Sequence, residues 1–181
     1  MTLKVLIAGF GGQGILFIGQ LLARAAMKQE LNVSWVPSYG VEMRGGTAHC
    51  SVIISAKEIS SPLVENPDIL LAFNQPSLDK FEPLLPENGI LIANKSLVKQ
   101  TDSRDNIRQY SLPANQLAEE LGNVKAVNMV MLGALLAATD LINPNTVIEE
   151  LREVFDNSTL LALNQKALDF GYHHLTEYLV L

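Results

Sequence analysis

The sequence predicts an α/β protein, a three-layer α/β/α sandwich around a mixed, mostly parallel central sheet. Strand-like apolar runs alternate with helical patterns, which is typical of helices packed on both faces of one sheet. A glycine-rich turn joins the first strand to the first helix, as in a parallel β-α-β unit. The second and third strands are joined by about nine residues, residues 38–46, too few for a parallel crossover. That pair is therefore predicted to be antiparallel.

Each element follows from its own pattern of apolar, turn and capping residues. The predicted strands are 3–8, 32–37 and 47–55, followed by strands near 68–73, 89–93 and 107–112. The first helix is predicted at 13–28, and the carboxyl-terminal third is predicted to be helical over Ala114–Leu121, Ala126–Leu141, Asn145–Phe155 and Thr159–Tyr178.

Length and composition limit the classes of function. The 181 residues contain no linker-like stretch, so we expect a single domain over 1–181. A formal charge of −6 with scattered basic residues argues against a nucleic-acid partner. Only 18% of the residues are charged and 48% are hydrophobic, which favours a subunit that buries surface against another chain. The longest apolar stretch, Met129–Ala138, is too short to cross a membrane. No cleavable leader is recognisable, and we expect a cytoplasmic protein.

The cysteine and histidine content argues against catalytic or metal chemistry on this chain. The single cysteine, Cys50, cannot supply the thiolates of an iron–sulfur cluster, and strand alternation places it on a small apolar face as an inert thiol. His49 points to the other face, toward solvent or a partner, with no catalytic companion nearby in sequence. We therefore predict no catalytic residue and no metal ligand.

The strongest local motif is the turn Gly9-Phe10-Gly11-Gly12-Gln13-Gly14, which fits G-x-G-x-x-G between a strand and a helix. This context predicts a Rossmann-like first β-α unit. Gly9, Gly11, Gly12, Gln13 and Gly14 are the first candidate binding residues, because a glycine turn at a helix N-terminus presents backbone N–H groups to an anion. Gln13 could contact a ligand or cap the backbone. The alternative is a packing turn with nothing bound.

The turn lacks the usual companion of an NAD site. A Rossmann site that binds NAD has an Asp or Glu about 20 residues further on, at the end of the second strand. Here that stretch, Val33–Tyr39, contains no carboxylate. The predicted antiparallel pair also departs from the uniform parallel sheet of dinucleotide dehydrogenases, so NAD is an unfavoured ligand.

A second motif lies at the carboxyl end of the second strand, in the loop Pro37–Thr47. Its candidate binding residues combine a planar cation, a carboxylate, an aromatic ring and unobstructed backbone; they are Tyr39, Glu42, Arg44, Gly45 and Gly46. An arginine beside two glycines suits a phosphate, a carboxylate or a partner chain. The alternative is a turn held by an internal Glu42–Arg44 pair.

Taken together, these segments resemble the gamma subunit of 2-oxoacid:ferredoxin (acceptor) oxidoreductases. The two loops carry the resemblance, and further matching segments extend it over nearly the whole chain. These segments are Ser61-Pro62, Pro67–Gln75, Pro113-Ala114-Asn115 and Asn128–Ala134.

The resemblance implies a multisubunit enzyme that oxidatively decarboxylates a 2-oxoacid with coenzyme A, giving an acyl-CoA, carbon dioxide and reduced ferredoxin. It implies that thiamine diphosphate and iron–sulfur clusters lie on the partner alpha, beta and ferredoxin-like delta subunits, while this chain is accessory. The sequence Glu42-Met43-Arg44-Gly45-Gly46 is similar to the 2-oxoglutarate and ketoisovalerate branch, whereas pyruvate-type subunits tend to follow Glu with two arginines and Gly-Ala. We favour 2-oxoglutarate. A free-standing Rossmann-like protein that binds NAD, FAD or coenzyme A is the alternative.

Overall fold

The computed structural model describes residues 2–40, 46–99, 104–139 and 142–179, with side chains described through residue 176. This part of the chain forms one six-stranded sheet with the order β2-β3-β1-β4-β5-β6. The strands are β1 Thr2–Phe10, β2 Asn32–Tyr39, β3 Thr47–Ser55, β4 Ile69–Ala72, β5 Ile90–Asn94 and β6 Arg108–Leu112. The helices are α1 Ile15–Lys28, α2 Gln75–Phe81, α3 Ala114–Glu120, α4 Val127–Ala138, α5 Pro144–Val154 and α6 Ser158–Leu179.

The strand pairing confirms the predicted mixed, mostly parallel sheet. β3 is antiparallel to both of its neighbours, with Trp35 opposite Val52 and Ile7 opposite Cys50. The pairs β1–β4, β4–β5 and β5–β6 are parallel. The short second connection therefore predicted the antiparallel β2–β3 pair correctly. The structure adds that β3 lies between β1 and β2, the two strands that α1 connects.

The two faces of the sheet are covered unequally. One face carries the larger core, in which α1, α4 and α6 pack on alternate residues of the strands, such as Ile7, Cys50 and Leu71. The opposite face carries a smaller cluster under α2, which includes Leu78 and Phe81 of that helix and Leu6 and Leu70 of the strands. Because strand side chains alternate between faces, each central strand contributes to both clusters.

Helix α2 differs from the sequence prediction, which had no element between the fourth and fifth strands. Its seven residues are too few for a helical period to stand out. The helix begins at Asn74, whose side chain accepts a hydrogen bond from the Ser77 backbone N–H, and Pro76 lies in its first turn.

Two predicted helix boundaries also differ by two residues or more. The first helix begins at Ile15 rather than at residue 13, because Gly14 adopts a left-handed conformation with φ of 73° and ends the turn there. The fourth helix ends at Ala138 rather than Leu141, since Thr139 is extended with φ of −142°. Residues 140 and 141 lie outside the described ranges.

Charged side chains attach α5 to α1. The carboxylate of Glu150, only 3% exposed, is 3.2 Å from Arg24 Nε and 3.0 Å from Lys28 Nζ. Lys28 also contacts Glu153 at 2.7 Å. These contacts raise the pKa of Lys28, through its hydrogen bonds with Glu153 and then Glu150, and lower the pKa of Glu153. No described helix is long and apolar enough to span a membrane.

Candidate functional site

The candidate site lies at the point where the strand order of the sheet reverses. After β1 the chain runs through α1 toward the β2 edge of the sheet. After β4 it runs through α2 toward the β6 edge. Ligands of open α/β sheets bind in the crevice outside the carboxyl ends of such strands. Here the crevice is bordered by the glycine turn after β1 and by Asn74 after β4.

The glycine turn is joined to the second predicted loop by a backbone hydrogen bond. The Gly11 N–H donates to the Gly46 carbonyl oxygen over 2.8 Å. Gly11 therefore braces the neighbouring loop instead of presenting its N–H group to a ligand. The structure brings the two sequence motifs together at the carboxyl end of β1.

Gln13 has an internal partner at the turn. Its Oε1 accepts hydrogen bonds from the Phe10 backbone N–H at 2.7 Å and from Asn74 Nδ2 at 3.3 Å. This geometry corresponds to the backbone-capping alternative for Gln13. A Cβ on Gly9 would lie 2.5 Å from that oxygen and 2.8 Å from Phe73 Cβ, so the side chain of Gln13 can fold over the turn only where residue 9 is glycine.

Donors remain at the start of α1. The backbone N–H groups of Gly12, Gly14 and Ile15 have no hydrogen-bond partner within the described ranges. They lie at the positive end of the α1 dipole, where an anion is stabilised. The turn therefore retains the elements of an anion site on the α1 side.

Asn128 lies near the start of an apolar helix, a position that predicts a cap or a buried hydrogen bond rather than a ligand contact. It is 9% exposed at the start of α4, and its Oδ1 accepts from the Met129 backbone N–H at 3.0 Å. Its Nδ2 lies against Gly14 and has no hydrogen-bond partner among the described residues. An amide nitrogen without a partner next to a helix N-terminus is a further donor for an anion.

Two cavities flank the turn. A polar cavity of about 320 Å³ is lined by Gly12, Gln13, Gly14, Asn115, Val124, Lys125 and Val127. A more apolar cavity of about 260 Å³ is lined by Phe10, Gly11, Gly12, Gly14, Ile15, Leu16, Phe17, Tyr39 and Ala48. The first offers an ammonium and amides, and the second offers aromatic and aliphatic surface, so the turn separates two environments that differ in chemistry.

The candidate residues of the second loop are only partly described. Tyr39 is 54% exposed and lines the apolar cavity, and Gly46 accepts the bond from Gly11. Glu42, Arg44 and Gly45 lie outside the described residues. Their assignment as binding residues, and the alternative Glu42–Arg44 pair, stay predictions.

Cys50 and His49 lie on opposite faces of β3, as predicted. Cys50 is fully buried against α1, where its Sγ lies 3.7 Å from the Ile15 carbonyl oxygen, and burial raises the pKa of the thiol to about 12. His49 is half-buried, with its ring 4.9 Å from that of Phe81. Burial, and then the charge of Lys80, lower the pKa of His49. Among the described residues, no group of three or more His, Cys, Asp or Glu side chains could hold a metal ion.

Comparison with known proteins identifies a family model and several relatives that match this chain. The family model described as pyruvate ferredoxin/flavodoxin oxidoreductase matches residues 4–174. The ketoisovalerate oxidoreductase subunit VorA of Methanothermobacter marburgensis is 39% identical over 170 residues, which cover 93% of this chain but 35% of that relative. The chain thus spans about a third of that relative's length. The 2-oxoglutarate synthase subunit KorC of the same organism is 36% identical over 159 residues, covering 84% of this chain and 86% of KorC.

Solved structures agree in fold. The gamma subunit of a keto/oxoacid ferredoxin oxidoreductase from Geobacter sulfurreducens superposes with a TM-score of 0.83 at 27% identity, covering 97% of this chain and 99% of that one. The 2-oxoglutarate:ferredoxin oxidoreductase from Magnetococcus marinus, solved with 2-oxoglutarate, coenzyme A and succinyl-CoA bound, gives a TM-score of 0.89 at 26% identity. There the match covers 97% of this chain and 31% of that one. The fold and the resemblance expected from the sequence are confirmed, and the chain belongs to the pyruvate ferredoxin/flavodoxin oxidoreductase family.

Proposed function

We propose that this chain is the gamma subunit of a multisubunit 2-oxoacid:acceptor oxidoreductase. In this proposal the complex decarboxylates a 2-oxoacid, transfers the acyl group to coenzyme A and passes the released electron pair to ferredoxin. The observation that carries the proposal is the joining of the two family-like loops by the Gly11–Gly46 hydrogen bond, within a chain that matches the family over residues 4–174.

The division of labour within the complex belongs to the same proposal. Thiamine diphosphate and the iron–sulfur clusters are assigned to the alpha, beta and ferredoxin-like delta subunits in the cytoplasm. This chain acts as one domain over residues 1–181 and is accessory. Its single cysteine, Cys50, is buried with a raised pKa, which makes it a poor thiolate ligand.

The substrate is proposed to be a 2-oxoacid of the 2-oxoglutarate or ketoisovalerate branch. The motif Glu42-Met43-Arg44-Gly45-Gly46 resembles both types of this branch, of which we favour 2-oxoglutarate. VorA has the higher identity of the two relatives described above, 39% against 36% for KorC. Assays of the purified complex with both oxoacids separate the two, because each gives a different acyl-CoA that mass spectrometry identifies.

We propose that the glycine turn contributes to an anion site for coenzyme A or to contact with a catalytic subunit. Coenzyme A carries phosphates, and the N–H groups at the start of α1, Asn128 Nδ2 and Lys125 supply donors and positive charge for them. The apolar cavity beside Tyr39 suits the less polar part of a ligand or an apolar side chain of a partner.

Co-expression tests the subunit assignment. We expect the chain to co-elute with the alpha and beta subunits in size-exclusion chromatography and, when purified alone, to show no turnover. Tyr39→Asp at the candidate edge is expected to lower recovery of the complex. The matched control is Leu63→Asp, because Leu63 is 70% exposed at the opposite end of β1, near Thr2. Recovery of only a free monomer beside the catalytic chains would contradict the assignment.

The alternative is a free-standing Rossmann-like protein that binds NAD, FAD or coenzyme A, and its dinucleotide-binding form leads to a different expectation. Such a protein would bind NAD or FAD at micromolar concentration without any partner chain. Calorimetric titration of the isolated chain with both dinucleotides distinguishes the two functions.

A further inference from the structure

The side chain of Gln13 fills the crevice between the ends of β1 and β4. Its Oε1 accepts from the Phe10 backbone N–H at 2.7 Å and from Asn74 Nδ2 at 3.3 Å. Asn74 is only 2% exposed, and its own Oδ1 accepts from the Ser77 backbone N–H at 3.0 Å, which fixes the direction of its amide. Two oriented donors therefore converge on one oxygen.

That oxygen lies at the carboxyl ends of β1 and β4, the region where open α/β sheets bind their ligands. A backbone N–H group can be met only by an acceptor, so the Phe10 donor requires Gln13 to place its oxygen inward and its Nε2 outward. In a dinucleotide site of this type, the backbone of the glycine turn approaches the pyrophosphate. Here the Phe10 N–H group already donates to Gln13 Oε1, and the Gly11 N–H group already donates to the Gly46 carbonyl oxygen.

Other donors at the turn and beside it have no partner. They are the backbone N–H groups of Gly12 and Gly14, Asn128 Nδ2 and Gln13 Nε2, none of which has a hydrogen-bond partner among the described residues. Gly12, Gln13 and Gly14 line the polar cavity together with Asn115 and Lys125. Gly12 and Gly14 also border the apolar cavity. Gln13, Asn115 and Lys125 line only the polar cavity of the two, so the side-chain amides and the ammonium that could serve an anion lie there.

We propose that Gln13 determines the ligand specificity of the glycine turn: its amide oxygen substitutes for a phosphate oxygen in the crevice, excludes the pyrophosphate of a dinucleotide and directs anions to the polar cavity. This inference rests on the proposed function, since it specifies which side of the turn serves the ligand. It accounts for a G-x-G-x-x-G turn in a chain that lacks the carboxylate of an NAD site.

Titration of the full chain with inorganic pyrophosphate tests this role. Gln13→Ala exposes the Phe10 N–H group and Asn74 Nδ2, so we expect it to bind pyrophosphate about 10-fold more tightly than the wild type, the gain typical of a charge-assisted hydrogen bond. Gln13→Glu is the matched control, because a carboxylate keeps both hydrogen bonds and adds a negative charge; its affinity should not exceed that of the wild type. The Phe10 amide resonance reports the site directly and should shift with pyrophosphate only in Gln13→Ala.

Two outcomes overturn the proposal. One is equal pyrophosphate affinity in the wild type and a folded Gln13→Ala variant, and the other is a pyrophosphate-dependent shift of the Phe10 resonance in the wild type. Assembly with the catalytic subunits is scored separately on the wild-type chain. A chain that fails to assemble but shows the expected discrimination refutes the subunit assignment and supports the role of Gln13.

Discussion

Gly133→Ala is expected to lower the free energy of unfolding by about 3 kcal/mol, the upper range for overpacking in a core that cannot yield. A Cβ at Gly133 of α4 would collide with the Leu168 carbonyl oxygen and lie 2.8 Å from the Tyr172 backbone nitrogen. Both atoms belong to the backbone of α6, so the helices must separate. Urea unfolding measures the effect.

Gly171→Ala should reproduce this loss from the other side of the crossing. A Cβ there would collide with the Val130 carbonyl oxygen and lie 2.9 Å from the Val130 Cα. Gly40→Ala is the control, since no described residue lies within 4 Å of its Cβ position, and it should change stability by less than about 1 kcal/mol. Unfolding midpoints of Gly133→Ala and Gly171→Ala equal to that of the wild type would show that α4 and α6 do not cross at these residues.

Gly14→Ala is expected to damage both stability and the candidate site. Alanine at φ of 73° costs about 1–2 kcal/mol in backbone strain. The added Cβ would also lie 2.9 Å from Asn128 Cγ and collide with its Nδ2, displacing a buried side chain. In the assembled complex, we expect the KM for coenzyme A to rise about 10-fold, as for the loss of one charge-assisted hydrogen bond.

Gly12→Ala separates the loss of stability from backbone strain and the loss from the clash with Asn128. Gly12 also has a positive φ, 98°, but in the part of the chain that the structure describes nothing lies within 4 Å of its Cβ position. Its loss of stability should stay at the backbone strain of about 1–2 kcal/mol, smaller than the loss at Gly14. If the two variants unfold at the same urea concentration, the contact between Gly14 and Asn128 does not constrain the turn.

Local patterns predicted much of the fold, because they depend on residues close in sequence. The short connection before β3 was enough to make β2 and β3 antiparallel, and the alternation along β3 placed Cys50 inside. Helix α2 left too little periodicity to be seen, although Asn74 followed by Pro76 is a capping signal that could have located it.

The parts of the site that escaped prediction depend on distant residues. Nothing in the glycine turn indicates that Asn128 would lie against Gly14 or that Asn74 would bond to Gln13, because the sheet order creates both contacts. The α4–α6 crossing at Gly133 and Gly171 could not be predicted from the sequence for the same reason. The roles of Glu42, Arg44 and Gly45 stay predictions.

Activity measured on complexes captured through this chain tests the subunit assignment most directly. An affinity-tagged form of the chain, co-expressed with the catalytic subunits and purified through the tag alone, should carry acceptor reduction that requires both a 2-oxoacid and coenzyme A. The same activity should be absent from the tagged chain expressed by itself. The subunit assignment would be contradicted if the tagged chain eluted without the other subunits and the oxoacid-dependent activity stayed in the unbound fraction.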